Sequence, residues 1–511
     1  MSKILQSLIT LPLLWWIAGY WLITPHYNLI PDIQLSAYDE QRFFELILLA
    51  CGVLLTLAPT FRAQWLEVLN AIPGRLKILT AFFFLCGLLS AWFSLSPRAA
   101  LQEVSLLLLL AMLTLGIAAH LRTHGEQAVV WVAVMVMAVC TWISLMLLDD
   151  FFYFLEYMKF MLDPAKFFSR FVSLRFFNQF QTWTFPLLAL PYLFWSARLG
   201  RWKWALHLPS ALWWSWWMFT GGRGVLMAMT VACVLLWVMF RQQALPWLHF
   251  QWRSLLVGSI IYIILFEVLT PTNTSETLLR LHDPARLKLW AAAWQMAVEN
   301  PWLGIGPQHY AWYYPFKIAA HPHNLTMQIL AEWGMPAFVA FAVITVWGWR
   351  GWFRSSVEQV KEESVTSPIL HHTRIALTGS FVAGITHAQV CGLLVMPLSQ
   401  VAGALVFGMM LGLHQRATTG HSHASQLSAP APFPTPATPS RSQAWTLVLT
   451  GLTLVSVLGW SLFPQITRLQ DDKLHFTQVY PKRAFAPRFW NQGLIHLPET
   501  TPPTPTPTPT P

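Results

Sequence analysis

The feature that most constrains this chain is a series of long apolar runs that recur from the N-terminus to about residue 463. Each run has roughly 17–25 residues, the length that an α-helix needs to cross the hydrocarbon core of a bilayer. Only 11% of the residues are charged, whereas a soluble domain carries about 25%. The pattern predicts an all-α, polytopic helical membrane protein with about 12–13 transmembrane helices.

The short loops between these runs indicate a topology. Alternation from a cytoplasmic N-terminus places each short basic loop on the inner side, as the positive-inside rule requires. The formal charge of +10 therefore reports topology, and we expect membrane lipids and no nucleic acid as partners. The first run follows Met-Ser-Lys and lacks a small-residue cleavage site, so we expect a first span and not a removed signal.

Composition divides the chain into four regions. The five cysteines lack CxxC spacing, so we expect apolar helix residues and neither disulfides nor a metal site. The end, TPPTPTPTPTP, favours extended polyproline II and predicts a disordered tail. The regions are N-terminal transmembrane helices (1–204), a central region (205–345) with a large outer loop (271–335), C-terminal transmembrane helices (346–463) with an inner linker (415–444), and an outer tail (464–511).

One polar stretch, AHPHNLTMQILAEWGMP at residues 320–336, borders an apolar run and predicts a loop-to-helix junction. A neutral histidine, with a reference pKa of about 6.5, suits the work of a general base. Alternatively, Asn324 caps the helix while Gln328 and Glu332 hold the loop. The hydrogen-bonding side chains of the stretch are His321, His323, Asn324, Gln328 and Glu332.

The spacing of the two histidines argues against a metal. His321 and His323 are two residues apart, so they do not share one helical face. A metal ion would need further ligands, and Glu332 alone is thin support. We therefore expect no metal and no other cofactor.

Several arginines lie in segments predicted to face the outer side, as His323 does. Arg223 stands in a TGGRG turn between two spans, where a charge is costly unless it meets an anion or lines a wet cavity. The alternative is snorkelling toward lipid phosphate. Arg280 and Arg286 lie in the outer loop, and Arg286 begins the helical pattern RLKLWAAAWQMAVENP; the alternative there is a local pair with Asp283, worth little when exposed.

Taken in order, TGGRG, Arg286 with LWAAAW, ENPWLGIGPQHY and HPHNLTMQILAEWGMP resemble the O-antigen ligase / O-antigen polymerase (Wzy-type) superfamily, which includes bacterial O-oligosaccharyltransferases. The resemblance covers about residues 205–345. Its most specific part is the pattern H-N-x-x-x-Q-x-x-x-E-x-G, which is matched by His323, Asn324, Gln328, Glu332 and Gly334.

This resemblance implies an inverting, metal-independent glycosyltransferase in the bacterial inner membrane, with its site facing the periplasm. The donor would be a glycan carried on undecaprenyl pyrophosphate. His323 would deprotonate the acceptor hydroxyl, while Arg223 and Arg286 would bind the pyrophosphate and stabilise its charge. The expected substrate-binding residues are Asn324, Gln328, Glu332, Arg280 and His321.

Members of this superfamily differ in their acceptor: lipid A core for a ligase, another lipid-linked repeat for a polymerase, and a protein for an oligosaccharyltransferase. Pilin-type transferases resemble HPHNE at the loop and HSxxEYPL later. Here Leu325 follows Asn324, and THAQVCGLLVMPLSQ keeps His387 and Pro397-Leu398 without Glu-Tyr. This departure weakens the protein-acceptor hypothesis, and lipid A core is favoured narrowly.

A transporter of lipid-linked glycans is the alternative from a different class. Transporters place charges near the middle of the membrane on broken helices. This chain concentrates them in an outer loop with a candidate base, which favours an enzyme.

Overall fold

The computed structural model describes residues 11–25, 29, 35–157, 167–270, 284–313, 319–424, 440–471, 474, 478, 487–491 and 493. These residues form 18 α-helices and no strand, which confirms the all-α class. The helices are α1 (Pro12–Ile23), α2 (Ala37–Leu55), α3 (Pro59–Ala71), α4 (Gly74–Trp92), α5 (Pro97–His124), α6 (Glu126–Tyr157), α7 (Leu174–Thr184), α8 (Leu190–Trp195), α9 (Leu208–Thr220), α10 (Arg223–Phe240), α11 (Leu245–Tyr262), α12 (Pro284–Glu299), α13 (Tyr310–Tyr313), α14 (Leu325–Trp333), α15 (Met335–Thr366), α16 (Pro368–Ala388), α17 (Pro397–Ala424) and α18 (Arg441–Ile466).

By length and composition, six helical segments of the described residues could cross a membrane, or seven if the bent pair α2 and α3 is one span. That pair is bent by 97°. This number is below the predicted 12–13 because some predicted spans are short or divided helices. Residues 223–269 also form one helical segment, although the backbone at Arg241, with φ +51°, interrupts it. The apolar run near residues 181–197 is also divided between α7 and α8.

The centre of the molecule is the contact between α5 and α17. Gly408 and Gly412, four residues apart on α17, lie against α5. A Cβ atom added to Gly412 would stand 2.6 Å from the main-chain oxygen of Ala118. Small residues at this spacing let two helix backbones approach closely, as they do in membrane helix pairs. The two helices therefore form the fixed frame on which the ends of the bundle are built.

Segments predicted to lie on the same side of the membrane do meet at the same end of the bundle. At the end predicted to be inner, Arg122 donates to Gln415 Oε1 at 3.4 Å. At the opposite end, the main-chain nitrogen of Ser96 donates to His309 Nε2 at 3.0 Å. These contacts agree with the predicted alternation, while the orientation relative to the periplasm stays a prediction.

Two regions differ from the sequence interpretation. The predicted linker 415–444 begins inside α17, because the helical pattern continues to Ala424. Residues 487–491 belong to the predicted outer tail, yet Arg488 is only 2% exposed. The tail packs back onto the helices here because its arginine and aromatic residues find buried partners there. The Thr/Pro-rich end lies outside the described residues.

Candidate active site

The candidate site is built around the first turn of α14. Asn324 caps this helix, since its side-chain oxygen accepts a hydrogen bond from the Met327 N–H at 2.9 Å. Asparagine is a preferred residue for satisfying the free N–H groups of a helix start. Its amide nitrogen also donates to the main-chain oxygen of Gln389 at 2.9 Å. One side chain therefore starts the helix and ties it to the segment after α16.

His323, the candidate base, comes immediately before this cap. Its φ is +54°, a left-handed conformation that is uncommon for a residue with a side chain, although histidine adopts it more often than most. Such a conformation costs on the order of 1–3 kcal/mol and persists only where the surroundings impose it. The His323 side chain is half-buried, so the ring is held in place and still reaches the surface of the site.

His321 supports the backbone of His323. It is 3% exposed, its ring lies 4.2 Å from that of His323, and its Nδ1 accepts from the His323 N–H at 3.2 Å. Burial lowers the pKa of His321 well below its ordinary value, helped by the neighbouring His323 and Arg488. His321 is therefore neutral near pH 7, with its proton on Nε2, and acts as an acceptor.

The TGGRG turn joins α9 to α10. Gly221 has φ +60°, and Arg223 is the first residue of α10. A Cβ atom added to Gly224 would lie 2.4 Å from His387 Nε2. The close approach at Gly224 is thus made by a protein side chain. Arg223 itself is half-buried, and among the described residues its guanidinium has no hydrogen bond or ion pair.

His387, at the end of α16, lies beside the TGGRG turn and within the influence of the Arg286 charge. Its Nδ1 lies 2.7 Å from Thr182 Oγ1 on α7, and its Nε2 faces Gly224. The charge of Arg286 acts on His387. Arg286, from α12, is therefore brought to the side of the TGGRG turn, although the two segments are separate in sequence.

The end of α16 and the residues that follow it complete the site, and we call residues 387–392 the bridging segment. Cys391 accepts a hydrogen bond from Gln179 Nε2 at 3.0 Å, and the charges of both Arg286 and Arg175 act on it. A Cβ atom added to Gly392 would lie 2.2 Å from His321 Cε1. The bridging segment thus lies against the TGGRG turn and the histidine loop, and the charge of Arg286 acts on two of its residues.

Gln328 and Glu332 face the protein interior. Glu332 is fully buried; its carboxylate accepts from the Tyr310 N–H at 3.1 Å and from Arg488 Nη2 at 2.6 Å. Burial raises the pKa of the Glu332 carboxyl, and Arg488 opposes this shift. The Gln328 amide lies 2.7–3.0 Å from Arg488, and we assign its oxygen to that side because the opposite assignment would set N–H donors against N–H donors. Their role in binding substrate stays a prediction, and these contacts hold α14.

The ENPWLGIGPQHY loop packs against the other end of α14. Gly306 donates its N–H to the main-chain oxygen of Glu332 at 3.0 Å. His309 is fully buried, with Nε2 accepting from Ser96 and Nδ1 bonded to the main-chain oxygen of Pro307 at 2.7 Å. Burial lowers its pKa to about 4. Because both ring nitrogens are used within the protein, His309 is a structural residue.

Arg280, which was predicted to bind substrate, lies outside the described residues. Within the described part of the chain, no group of three or more His, Cys, Asp or Glu side chains could hold a metal ion. Sequence reasoning did not assign roles to Arg175, His387 or Arg488, whose positions follow from contacts between distant segments.

A family model described as O-antigen ligase matches residues 208–342. No curated protein matches the chain. The matched range contains the TGGRG turn, Arg286 and the whole of α14, so the resemblance predicted from the motifs is confirmed for this segment. Together with the apolar helices, the match indicates a multi-pass membrane protein with a glycosyltransferase region of O-antigen ligase or polymerase type.

Proposed function

Starting from the O-antigen ligase match over residues 208–342, we propose that the chain transfers a glycan from undecaprenyl pyrophosphate to a hydroxyl acceptor. The reaction takes place at the periplasmic face of the bacterial inner membrane, and lipid A core is the favoured acceptor. The observation that supports the proposal is the bridging segment, which lies against Gly224 and the His321–Asn324 loop and on which the charge of Arg286 acts.

His323 acts as the general base. As the acceptor oxygen attacks the anomeric carbon, its proton passes to the neutral imidazole, and the bond from that carbon to the pyrophosphate oxygen breaks. One C–O bond forms and one breaks on the opposite face, so the anomeric configuration inverts. The strained backbone at His323 supports this role, because such strain concentrates at functional sites.

The two arginines bind the departing undecaprenyl pyrophosphate. Guanidinium groups match phosphate oxygens with paired N–H donors, and donors placed where charge develops lower the barrier. Arg223 suits this role because its guanidinium has no partner among the described residues. Arg175, whose charge reaches Cys391 together with that of Arg286, adds positive potential at the same place.

The proposal is tested by His323→Ala in cells, with surface polysaccharide and undecaprenyl-linked glycan followed together. The matched control is His249→Ala, since His249 is an exposed histidine on α11. Loss of a general base slows transfer by roughly 10²–10⁴-fold. We expect lipid A-linked glycan to disappear while long lipid-linked chains accumulate.

The other outcomes separate the alternatives. Accumulation of single lipid-linked repeats indicates a polymerase, and loss of glycan from a protein indicates an oligosaccharyltransferase. Normal transfer by a folded His323→Ala protein contradicts the role of His323. Altered movement of the lipid-linked glycan with unchanged chemistry indicates a transporter.

A further inference from the structure

The segment 487–491, which we call the tail anchor, is inserted among the helices at the end that carries the candidate site. Phe489 and Trp490 are each 4% exposed, and Asn491 is 6% exposed. Its main chain is held by α2, since Arg42 Nε donates to the Phe489 oxygen at 3.1 Å and the Asn491 N–H donates to Asp39 at 2.7 Å. The tail anchor is thus an integral part of the packed bundle.

Arg488 is the charged residue of the tail anchor and is 2% exposed. Its guanidinium makes a two-oxygen contact with Glu103 of α5, at 2.6–3.1 Å, and reaches Glu332 of α14 at 2.6 Å. It also donates to Gln328, one turn earlier on α14. One planar group therefore joins the central helix α5 to two positions of the helix that follows the candidate base.

These contacts hold α14 at two positions, Gln328 and Glu332. Residues 328 and 332 are four apart, so they lie on the same face of the helix, and fixing both fixes its rotation as well as its position. The first turn of α14 begins directly after His323. The charge of Arg488 also acts on His321, which accepts from the His323 N–H.

We propose that Arg488 is a positioning residue that sets the place of His323 through α14 without touching the substrate. This inference rests on the proposed glycosyl transfer, since it assigns Arg488 a role in the rate of that reaction. It predicts that α14 can remain folded and yet carry His323 in the wrong place when the planar contact is lost.

The first test is Arg488→Lys in the full-length, detergent-purified protein, assayed with a lipid-linked glycan donor and a lipid A core acceptor. Lysine keeps the positive charge but cannot contact both carboxylates and Gln328 in one plane. Misplacement by about 1 Å costs on the order of 100-fold in rate, so we expect kcat to fall at least 10-fold while KM for the donor changes less than about twofold. The control is Arg468→Lys, an exposed arginine after α18.

The second variant keeps the proposal falsifiable if Arg488→Lys does not fold. The triple change Glu103→Gln, Glu332→Gln and Arg488→Gln removes all three charges, so no buried charge is left without a partner. We expect a folded protein whose kcat remains low. Recovery of wild-type kcat in this variant would show that the three groups only stabilise the fold. A raised KM with unchanged kcat would likewise overturn the proposal.

Amide hydrogen exchange separates failure of this inference from failure of the proposed function. Without substrate, Arg488→Lys is expected to speed exchange in residues 319–333 and to leave α5 unchanged. A wild-type protein that transfers no glycan overturns the proposed function, and exchange then still decides whether Arg488 holds α14. Unchanged exchange and unchanged kcat in a variant of an active wild type overturn the positioning role alone.

Discussion

Two arginines at opposite ends of the bundle show how differently the same side chain is used. Arg374 is 1% exposed, and its Nε lies 2.8–2.9 Å from both carboxylate oxygens of Glu363. Arg223 is half-buried, and among the described residues no carboxylate pairs with it. A buried cation that has its carboxylate is part of the fold. A half-buried cation without one is available to an anionic ligand.

Arg374→Gln should have the largest effect on stability of the substitutions that test this comparison. It leaves the Glu363 carboxylate buried without its cation, which costs about 3–5 kcal/mol. We expect a large fall in the free energy of unfolding and unchanged transfer per folded molecule. Thermal unfolding in detergent measures the loss, with the exposed Arg354→Gln as control. A stable Arg374→Gln protein with slow transfer would reverse the assignment.

Arg223→Gln should give the opposite pattern. Removing one donor to a developing charge slows catalysis by roughly 10²–10³-fold, whereas a group without a partner among the described residues contributes within about 0.5 kcal/mol to stability. The measurement is kcat/KM beside the melting temperature, with exposed Arg198→Gln as control. A melting temperature that falls as far as that of Arg374→Gln would make Arg223 a structural residue.

The stability of the end that carries the candidate site should depend on pH through His309. Burial lowers the pKa of His309 to about 4. An unfolded histidine has a pKa of about 6.5, so between these values the unfolded chain binds a proton that the folded protein does not. Stability therefore falls as pH falls, by about 2 kcal/mol between pH 7 and pH 5.

His309→Gln should remove this part of the acid dependence. The check is the difference in unfolding temperature between pH 7 and pH 5 for the variant and the wild type. His249→Gln, which changes an exposed histidine at α11, should keep the wild-type difference. If both variants behave alike, the acid dependence arises elsewhere.

The smallest expected effect comes from Gly224→Ala. The new methyl group would meet His387 Nε2 at 2.4 Å, so the ring must shift away from the turn that carries Arg223. We expect roughly a tenfold loss of transfer, within the range for a misplaced site group. Gly348→Ala is the control, because a Cβ there meets nothing within 4 Å. Equal activity of the two variants would show that the position of His387 is unimportant.

Local patterns made part of this structure predictable from sequence. Apolar runs require helices whatever their order, so the all-α class followed directly. Asn324 as a helix cap and the turn before Arg223 also depend on residues within a few positions of each other. These features were predictable because each depends on one short segment of the chain.

Contacts between distant segments could not be predicted in this way. His387 meets Thr182 across 205 positions, and Arg488 meets Glu332 across 156 positions. No periodicity marks such pairs, and the tail anchor stands in a stretch whose composition resembles a linker. The predicted spans also differ from the single long helices where prolines and short turns divide an apolar run, because hydrophobicity does not reveal where a helix breaks.

The insertion of the tail anchor has a consequence for how the protein is made. Glu103 and Glu332 are synthesised 385 and 156 residues ahead of the arginine that pairs with them. During synthesis, both carboxylates therefore lack their cation until α18 and then Arg488 have been made. The end of the molecule that carries the candidate site is therefore completed only after Arg488 has been made.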